Sequence, residues 1–270
     1  MPGVSWLAFD SSLASARYRR DIPAAALAQM GVRIGGKAVL IASKHGWDWD
    51  TATAGFRRVV FDVCDDHFDG VYGTHYLDAC ARADAVTCNS REMARVIKAR
   101  TDRDAWVIPD PYEQPERAPR VGRDLLWYGH QSNLPDLLAV MDSIAEYPLQ
   151  IVTGGLEAAC KPPLVQWSPQ ALDAAYEACG MVVIPTGKSM AKSGNRAIEA
   201  IRRGRYPVCG YLPAYADLGV WVGDIADGVD WALSNPSEVV KRIGHAQAYV
   251  RRQYSPRRIA EQWLEVIQSV

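Results

Sequence analysis

The sequence predicts an α/β protein built from two Rossmann-like domains, and three observations support this prediction. Short apolar runs rich in Val, Ile and aromatic residues alternate with helical patterns along most of the chain. A proline-rich stretch interrupts this alternation near the middle. The 270 residues are enough for two domains of roughly 100 to 150 residues each. We therefore expect two parallel sheets, each with its own helices.

The first series of elements defines an N-terminal domain over residues 1–112. Its predicted strands cover 4–9, 38–42, 59–63, 85–88 and 106–108. A helical pattern over 16–30 ends before Gly31, and a second one over 90–100 begins at a capping residue, Asn89 or Ser90, with Glu92 in its first turn.

The second series defines a C-terminal domain over 124–250. Four prolines between 109 and 123 predict a semi-rigid spacer, and we take 113–123 as the linker. Predicted strands then cover 125–128, 149–152, 164–167, 181–184 and 207–209, and predicted helices 134–145, 169–179 and 194–203. The tail is helical from Pro236 with one break at Ser255–Pro256, so 251–270 is expected to return to the first domain.

Composition excludes several classes of protein. The net charge of −1 gives no support to general polyanion binding. The six cysteines lie singly and far apart, without zinc-ligand spacing, so we expect reduced, buried thiols. No run approaches the roughly 18 apolar residues of a membrane span, and we expect a cytoplasmic monomer or homodimer.

The loop after the strand 181–184 is the strongest candidate for a phosphate site. Its sequence, PTGKSMAKSGN, leads into a helix that starts near Gly194 or Asn195. Free backbone N–H groups, the helix dipole, Lys188 and Lys192 would together hold a diphosphate. A solvated lysine loop capped by Asn195 has the same sequence pattern. Glu199, one turn later, could accept hydrogen bonds from ribose hydroxyls or could be an exposed helical residue.

The run NRAIEAIRRGRYPV over 195–208 resembles the donor-binding helix and strand of retaining GT-B glycosyltransferases. The resemblance implies two domains facing each other across a cleft, a C-terminal helix that crosses back, and a nucleotide diphosphate sugar as donor, with UDP favoured. It places the ribose on Glu199 and the diphosphate on the amides of Ser193, Gly194 and Asn195. The acidic residue that this family has eight positions before the glutamate is Ala191 here.

Two further segments resemble the donor side of the same family. Residues 125–141 resemble its first strand, glycine turn and helix, which implies that Gly129, His130 and Ser132 lie beside the phosphates. Residues 165–186 resemble the unit that holds the nucleobase near Trp167 and Ser168. On the residues alone, His130 could equally be a turn or cap residue, and Trp167 could belong to the core.

The acceptor side is expected in the first domain. Residues 15–31 resemble its opening loop and helix. Arg17 and Arg19 at the helix start oppose the helix dipole, which favours an anionic ligand, although solvated surface arginines have the same pattern. Residues 59–70 resemble a strand and acidic turn whose Asp65, Asp66 or His67 would contact the acceptor. This turn looks superficially like a metal site, but the resemblance argues against a metal. A basic groove is a further hypothesis, formed by Arg17, Arg19, Arg20, Arg57 and Arg58.

The implied reaction breaks the bond between the anomeric carbon and phosphate without a metal, with retained configuration. Stabilisation of the leaving diphosphate would be the main catalytic effect. The predicted catalytic residues are Lys192, Asn195 and His130, with Lys188 and Arg196 as further cations. The acceptor stays open between a glycan, a lipid-linked glycan and a hydroxymethylated DNA base. A sugar-nucleotide epimerase and a non-catalytic nucleotide-binding module, the latter favoured by Ala191, also stay open.

Overall fold

The computed structural model describes residues 3–10, 13–154, 164–187 and 189–270. The chain forms two compact units. Unit 1 comprises Met1–Glu113, Ala191–Ser193 and Arg252–Val270, and unit 2 comprises Gln114–Met190 and Gly194–Arg251. Each unit has its own parallel sheet.

The sheet of unit 1 has five strands in the order β1-β2-β3-β4-β5. They are β1 (Val4–Trp6), β2 (Val39–Ser43), β3 (Arg58–Val63), β4 (Ala85–Cys88) and β5 (Trp106–Val107). Every neighbouring pair is parallel. The carboxyl ends of the five strands therefore lie at one edge of the sheet.

Helices cover both faces of this sheet. They are α1 (Ala14–Ala16), a π-helical segment (Arg17–Asp21), α2 (Ile22–Gln29), α3 (Trp49–Thr53), α4 (Gly73–Arg82), α5 (Arg91–Thr101) and the C-terminal α11 (Pro256–Ser269). The hydroxyl of Ser90 accepts a hydrogen bond from Met93 N and starts α5, as the sequence predicts.

The core of unit 1 follows the strand periodicity of two. Ile41 packs with Leu27 of α2 and Trp263 of α11 on one face. Phe61 and Tyr76 of α4 belong to the cluster on the other face, together with α5. Helix α11 packs directly against α2, and its apolar side supplies a large part of the first core.

The sheet of unit 2 has six parallel strands in the order β11-β10-β9-β6-β7-β8. They are β6 (Leu125–Gly129), β7 (Leu149–Thr153), β8 (Leu164–Gln166), β9 (Met181–Ile184), β10 (Tyr206–Cys209) and β11 (Trp221–Val222). The chain moves outward from β6 to β8 and then continues at β9 on the other side of β6. The strand order thus reverses between β6 and β9.

The helices of unit 2 are α6 (Leu134–Leu138), α7 (Pro169–Ala178), α8 (Asn195–Arg202), α9 (Ile225–Ser234) and α10 (Pro236–Gln253), with 3-10 turns at Gln131–Asn133, Met141–Ile144 and Pro213–Leu218. Trp127, at the centre of one core, packs with residues of α6, α9 and α10. None of the described helices is long and apolar enough to cross a bilayer.

Two segments of unit 2 differ from the sequence prediction. The predicted helix 134–145 ends early, because Val140 N bonds to Leu137 O and the chain tightens into a 3-10 turn. The expected spacer is hydrogen-bonded to unit 2, with Arg117 N donating to Arg202 O and Arg120 N to Gly204 O. Its prolines exclude a helix but leave these backbone bonds available.

We expect Trp263→Ala to lower the free energy of unfolding by about 3–5 kcal/mol, because a fully buried indole is removed from the core. The indole also makes an edge contact with Trp6 at 6.5 Å between ring centroids. Urea unfolding followed by circular dichroism measures the change. The exposed Gln268→Ala on the same helix is the control, and equal midpoints for the two variants would contradict the role of α11 in the core.

Candidate functional site

The reversal of strand order in unit 2 defines the candidate nucleotide site. In open parallel sheets, loops leaving adjacent strands in opposite directions open a crevice at the carboxyl edge, and ligands bind there. Here β6 and β9 are the adjacent strands, with Leu125 paired to Met181. The turn after Gly129 and the loop after Ile184 leave this point.

Helix α8 is connected directly to the end of β6. Arg196 Nη1 donates to Tyr128 O at 3.3 Å, and Tyr128 Oη donates to Arg196 O at 3.3 Å. A Cβ at Gly129 would lie 3.3 Å from the Trp127 ring and 3.4 Å from Arg196 Nη1. Glycine at 129 therefore allows the guanidinium to lie close to the end of β6.

His130 caps the short turn that follows β6. Its Nδ1 accepts from Ser132 N at 3.2 Å and lies 2.8 Å from Ser132 Oγ. Both side chains are exposed at the carboxyl edge. The capping role that the sequence left open is thus observed. It uses Nδ1 of the imidazole, and neither of these contacts involves Nε2.

Helix α8 begins with Gly194 as its N-cap and Asn195 as its first residue, as predicted. The first-turn N–H groups of a helix have no acceptor within the helix, so they can bind an anion. Glu199 is only 5% exposed, which excludes the interpretation as an exposed helical residue. Burial, followed by contributions that include the Glu199 charge, raises the pKa of Tyr128 and of Tyr176.

Other predicted donor residues lie apart from this point. Lys188 lies outside the described residues, and Ala191–Ser193 belong to unit 1, where Ala191 packs in the core and Lys192 is half-buried. Trp167 N donates to Thr153 O at 2.8 Å beyond β8, two strands from β6. The Ser168 hydroxyl accepts from Ala171 N at 3.0 Å and caps α7.

Thr186 is a candidate that the sequence analysis missed. Its Oγ1 is buried and makes no hydrogen bond with the residues that the structure describes. A Cβ at Gly210 would lie 2.8 Å from Thr186 N and 2.9 Å from Oγ1, so this glycine is required for the close approach of β10. The available signal was its position directly beyond the buried strand β9.

In unit 1, the predicted ligand residue Arg19 is a structural residue, and its assignment to the acceptor side is corrected. The side chain is 1% exposed. Its Nη2 and Nε bond to the carboxylate of Asp62 at 2.7 and 3.0 Å, and Nη1 bonds to Ile108 O at 2.5 Å and Asp110 Oδ1 at 3.2 Å. The anions that Arg19 binds are carboxylates of the protein.

The charges of this network are coupled. Burial acts to lower the pKa of Arg19, but the carboxylates of Asp62 and Asp110 outweigh it and the pKa is raised. Burial raises the pKa of Asp110, although Arg19 and a hydrogen bond from Ser193 act in the opposite direction. We refer to Arg19, Asp62 and Asp110 as the buried triad.

The remaining basic residues do not form the predicted groove. Arg17 Nε bonds to Glu113 at 2.7 Å near the carboxyl edge of the sheet. Arg58 starts β3 at the amino edge and pairs with Asp84 at 2.9 Å, and Arg57 precedes it. Arg17 lies at the carboxyl edge of the sheet, whereas Arg57 and Arg58 lie at its amino edge. The hypothesis of one basic groove is therefore wrong.

The acidic turn after β3 lies at the carboxyl edge of unit 1. Asp65 pairs with Lys44, and Asp66 Oδ1 accepts a hydrogen bond from Phe68 N at 3.4 Å. The His67 ring contacts the His45 ring edge-on at 5.6 Å between centroids. Among the described residues, no three His, Cys, Asp or Glu side chains are grouped so that they could hold a metal ion.

No protein-family model matches the sequence, and no curated protein matches it. Among solved structures, the chain is similar to Alr3699/HepE from Anabaena in complex with UDP-glucose, with a TM-score of 0.76 and 12% identity over 99% of this chain and 100% of that one. It is similar to phage T4 β-glucosyltransferase, with a TM-score of 0.63 and 8% identity over 100% and 99%. It is also similar to TarM from S. aureus, with a TM-score of 0.64 and 13% identity over 85% of this chain and 55% of TarM.

These neighbours are GT-B glycosyltransferases, and the likeness establishes the fold of this chain as GT-B. The chain spans little more than half of TarM but the full length of HepE. The predicted fold class is therefore confirmed.

We expect Arg19→Met to lower the free energy of unfolding by about 3–5 kcal/mol, because it leaves two buried carboxylates without a cation. The matched control is Arg57→Met, an exposed site where the change should stay within about 0.5 kcal/mol. Urea unfolding at pH 7 provides both values, and similar values for the two variants would contradict the role of the triad.

The deficit of Arg19→Met should be smaller at pH 4.5 than at pH 7. The pKa of Asp110 is raised by burial, and removing Arg19 raises it further. A carboxyl group whose pKa is raised in the folded state holds its proton more tightly there than in the unfolded chain. The resulting stabilisation is fully present below the unfolded-state pKa of about 3.9 and is lost as the pH rises through the folded-state pKa. Parallel urea titrations at the two pH values test this, and a deficit independent of pH would exclude carboxylate charge as its cause.

Proposed function

We propose that this protein is a glycosyltransferase that moves a sugar from a nucleotide diphosphate donor, preferably a UDP-sugar, to a hydroxyl acceptor. One observation carries the proposal. The turn at Gly129 and the start of α8 lie close together at the carboxyl ends of β6 and β9, where the strand order reverses. UDP as the nucleotide is supported by the structures of HepE and TarM, which contain UDP or UDP-glucose.

In this proposal the diphosphate binds at the N-terminus of α8. The first-turn amides at Asn195 supply hydrogen bonds, and the helix dipole favours negative charge. The guanidinium of Arg196, fixed on Tyr128 O, supplies a full positive charge at the same place. The buried hydroxyl of Thr186, beyond the adjacent strand, is a further donor.

Glu199 is proposed to bind the ribose. It lies one turn beyond the first residue of α8, which suits a group attached to the diphosphate. Its burial among Tyr128, Tyr176 and Arg203 keeps the carboxylate in a defined position. A carboxylate accepts two hydrogen bonds from vicinal hydroxyls without rearrangement.

The chemical step breaks the bond between the anomeric carbon and the diphosphate oxygen. Negative charge develops on the leaving diphosphate, and donors that are already oriented toward it lower the barrier. Arg196 would supply positive charge that a divalent metal supplies in other transferases, so we propose a metal-independent reaction. His130 lies at the same edge and presents one imidazole nitrogen for contact with the sugar or phosphate.

We propose retention of anomeric configuration, supported by the resemblance of 195–208 to retaining GT-B enzymes. The leaving phosphate would accept the proton of the attacking hydroxyl on the same face of the sugar. Hydrolysis of UDP-glucose at high enzyme concentration should then release α-glucose first. Early ¹H NMR spectra would distinguish it from β-glucose, which an inverting enzyme would release.

We expect UDP at 100 times its dissociation constant to stabilise the protein by about 2.7 kcal/mol, since it binds only the folded state. Thermal unfolding with UDP, GDP and ADP, each with and without EDTA, measures this. EDTA should not change the UDP effect. Glu199→Gln, which keeps the side-chain shape, should weaken UDP binding at least tenfold. The control is Glu238→Gln on α10 of unit 2, where Glu238 forms a partly exposed ion pair with Arg242. This substitution should leave UDP binding unchanged.

Each contrary result has a defined meaning. The absence of stabilisation by any nucleotide would overturn the glycosyltransferase proposal. Stabilisation that EDTA abolishes would overturn metal independence alone. Equal effects of Glu199→Gln and Glu238→Gln would remove Glu199 from the ribose site while leaving the nucleotide site in place.

A further inference from the structure

We propose that the carboxyl edge of the unit 1 sheet binds an uncharged sugar ring, which stacks on Tyr72 while the carboxylates of Asp65 and Asp66 accept hydrogen bonds from its hydroxyls. This inference rests on the proposed function, because the bound sugar would be the acceptor of the transfer. It selects one class among the glycan, lipid-linked and DNA acceptors that the sequence left open.

Aromatic rings form a packed surface at this edge of unit 1. The rings of His45 and Tyr72 are stacked, with 3.4 Å between centroids and 7° between planes. His67 contacts both rings edge-on, at 5.6 Å from His45 and 6.0 Å from Tyr72. Tyr76 in turn contacts His67 at 5.4 Å. We call these four residues the His–Tyr cluster.

One member of the cluster is buried in the core and another is exposed to solvent. Tyr76 is fully buried in the core of unit 1, while Tyr72 is 39% exposed. One ring of the stack is therefore supported by protein on one side and accessible to solvent. An aromatic ring fixed in this way offers an apolar surface to the C–H face of a sugar at little cost in side-chain entropy.

The loops around the His–Tyr cluster carry a net negative charge. The loops after β2 and β3, residues 44–48 and 64–72, contain one lysine, Lys44, and four aspartates, which are Asp48, Asp65, Asp66 and Asp69. Arg100 pairs with Asp69, and the surroundings of the cluster stay net negative when it is included. Such a surface repels phosphate groups, so polyanionic DNA and anionic lipid headgroups are disfavoured.

The same carboxylates suit neutral hydroxyls. Asp65 and Asp66 are exposed. Asp65 accepts from Lys44 and from the Cys64 thiol, and Asp66 accepts from Phe68 N, so each carboxylate keeps acceptor capacity that these partners do not use. Sugar hydroxyls are donors of the matching kind, whereas a nucleobase presents few donors and arrives with phosphates. This edge therefore differs in charge from the N-terminus of α8, which is proposed to bind phosphate.

Two buried polar atoms at the cluster have no hydrogen-bond partner among the described residues. The Tyr76 hydroxyl is buried and makes no hydrogen bond with the residues that the structure describes, and the same holds for His75 Nε2. Tyr76 is the buried member of the cluster, and the His75 ring contacts its ring at 6.2 Å between centroids. Buried polar atoms without partners are uncommon in proteins, and a bound water that also contacts a ligand is one way to satisfy them.

The test measures glycoside binding directly, so that it does not depend on catalysis. Saturation-transfer difference NMR of the whole chain is recorded with the methyl glycosides of glucose, galactose and N-acetylglucosamine, with and without UDP. We expect the ring C–H protons of at least one glycoside to receive saturation. Tyr72→Ala should weaken this binding at least tenfold, and Asp66→Asn several-fold.

Trp106→Ala is the matched control, because Trp106 is another aromatic residue of unit 1 with similar exposure, 45%, on strand β5. It should bind glycosides as the wild type does. The absence of glycoside binding by the wild type would overturn the inference, as would unchanged binding in Tyr72→Ala. Salt-sensitive binding of a duplex containing hydroxymethylcytosine, without glycoside binding, would also overturn it. UDP stabilisation in the same samples reports on the proposed function separately.

Discussion

The contact between Arg19 and Asp62 is the constraint on which the carboxyl edge of the unit 1 sheet depends. The carboxylate of Asp62 accepts hydrogen bonds from Arg19, from Ser43 at 3.3 Å and from Thr87 at 2.8 Å. Ser43, Asp62 and Thr87 are in register on β2, β3 and β4, so one carboxylate connects three strands. Because the pair is buried, removing either partner would leave an uncompensated charge in the core.

The local helix geometry is explained by the same contact. Arg19 lies within the π-helical segment between α1 and α2, where the wider turn differs from the α-helices on both sides. Such turns occur where a side chain must be directed to a particular point, often near functional sites. Here the arginine reaches β3 and Ile108 O beyond β5, and it also lies over the ring of Trp263 at 5.3 Å from its centroid. The C-terminal helix is therefore connected to the triad through Trp263.

The sequence predicted the strands of the fold well, whereas the ten-residue helices α4 and α9 were not predicted individually. Two strands, β4 and β9, have the predicted bounds, and the others that were predicted differ at their ends by one to three residues. Such strands can be recognised because buried parallel strands form continuous apolar runs. The short edge strand β11 was missed, since two residues leave no periodic pattern. The break of the helix after Leu138 was also missed, because residues of ordinary helix propensity continue beyond it.

Site residues were harder to predict, because their roles depend on contacts distant in sequence. Arg19 and Arg17 have the same local pattern, yet one is buried against Asp62 and the other pairs with Glu113 near the surface. Neither partner could be identified from spacing alone. Glu199 could be placed from its family resemblance, whereas its burial could be established only once Tyr128 and Tyr176 were located in space. Thr186 has no motif, and only the neighbouring strand makes it distinctive.

The two units present different chemistry at their carboxyl edges. In unit 2, a helix N-terminus and the guanidinium of Arg196 make the edge suitable for phosphate. In unit 1, Arg19 is neutralised inside the triad and Arg17 pairs with Glu113, while the exposed loops carry aspartates and the His–Tyr cluster. If Arg19 were exposed, the acidic edge would carry a strong cation and would attract phosphate. Its burial therefore leaves unit 1 with an acidic carboxyl edge, which suits an uncharged ligand better than a phosphate.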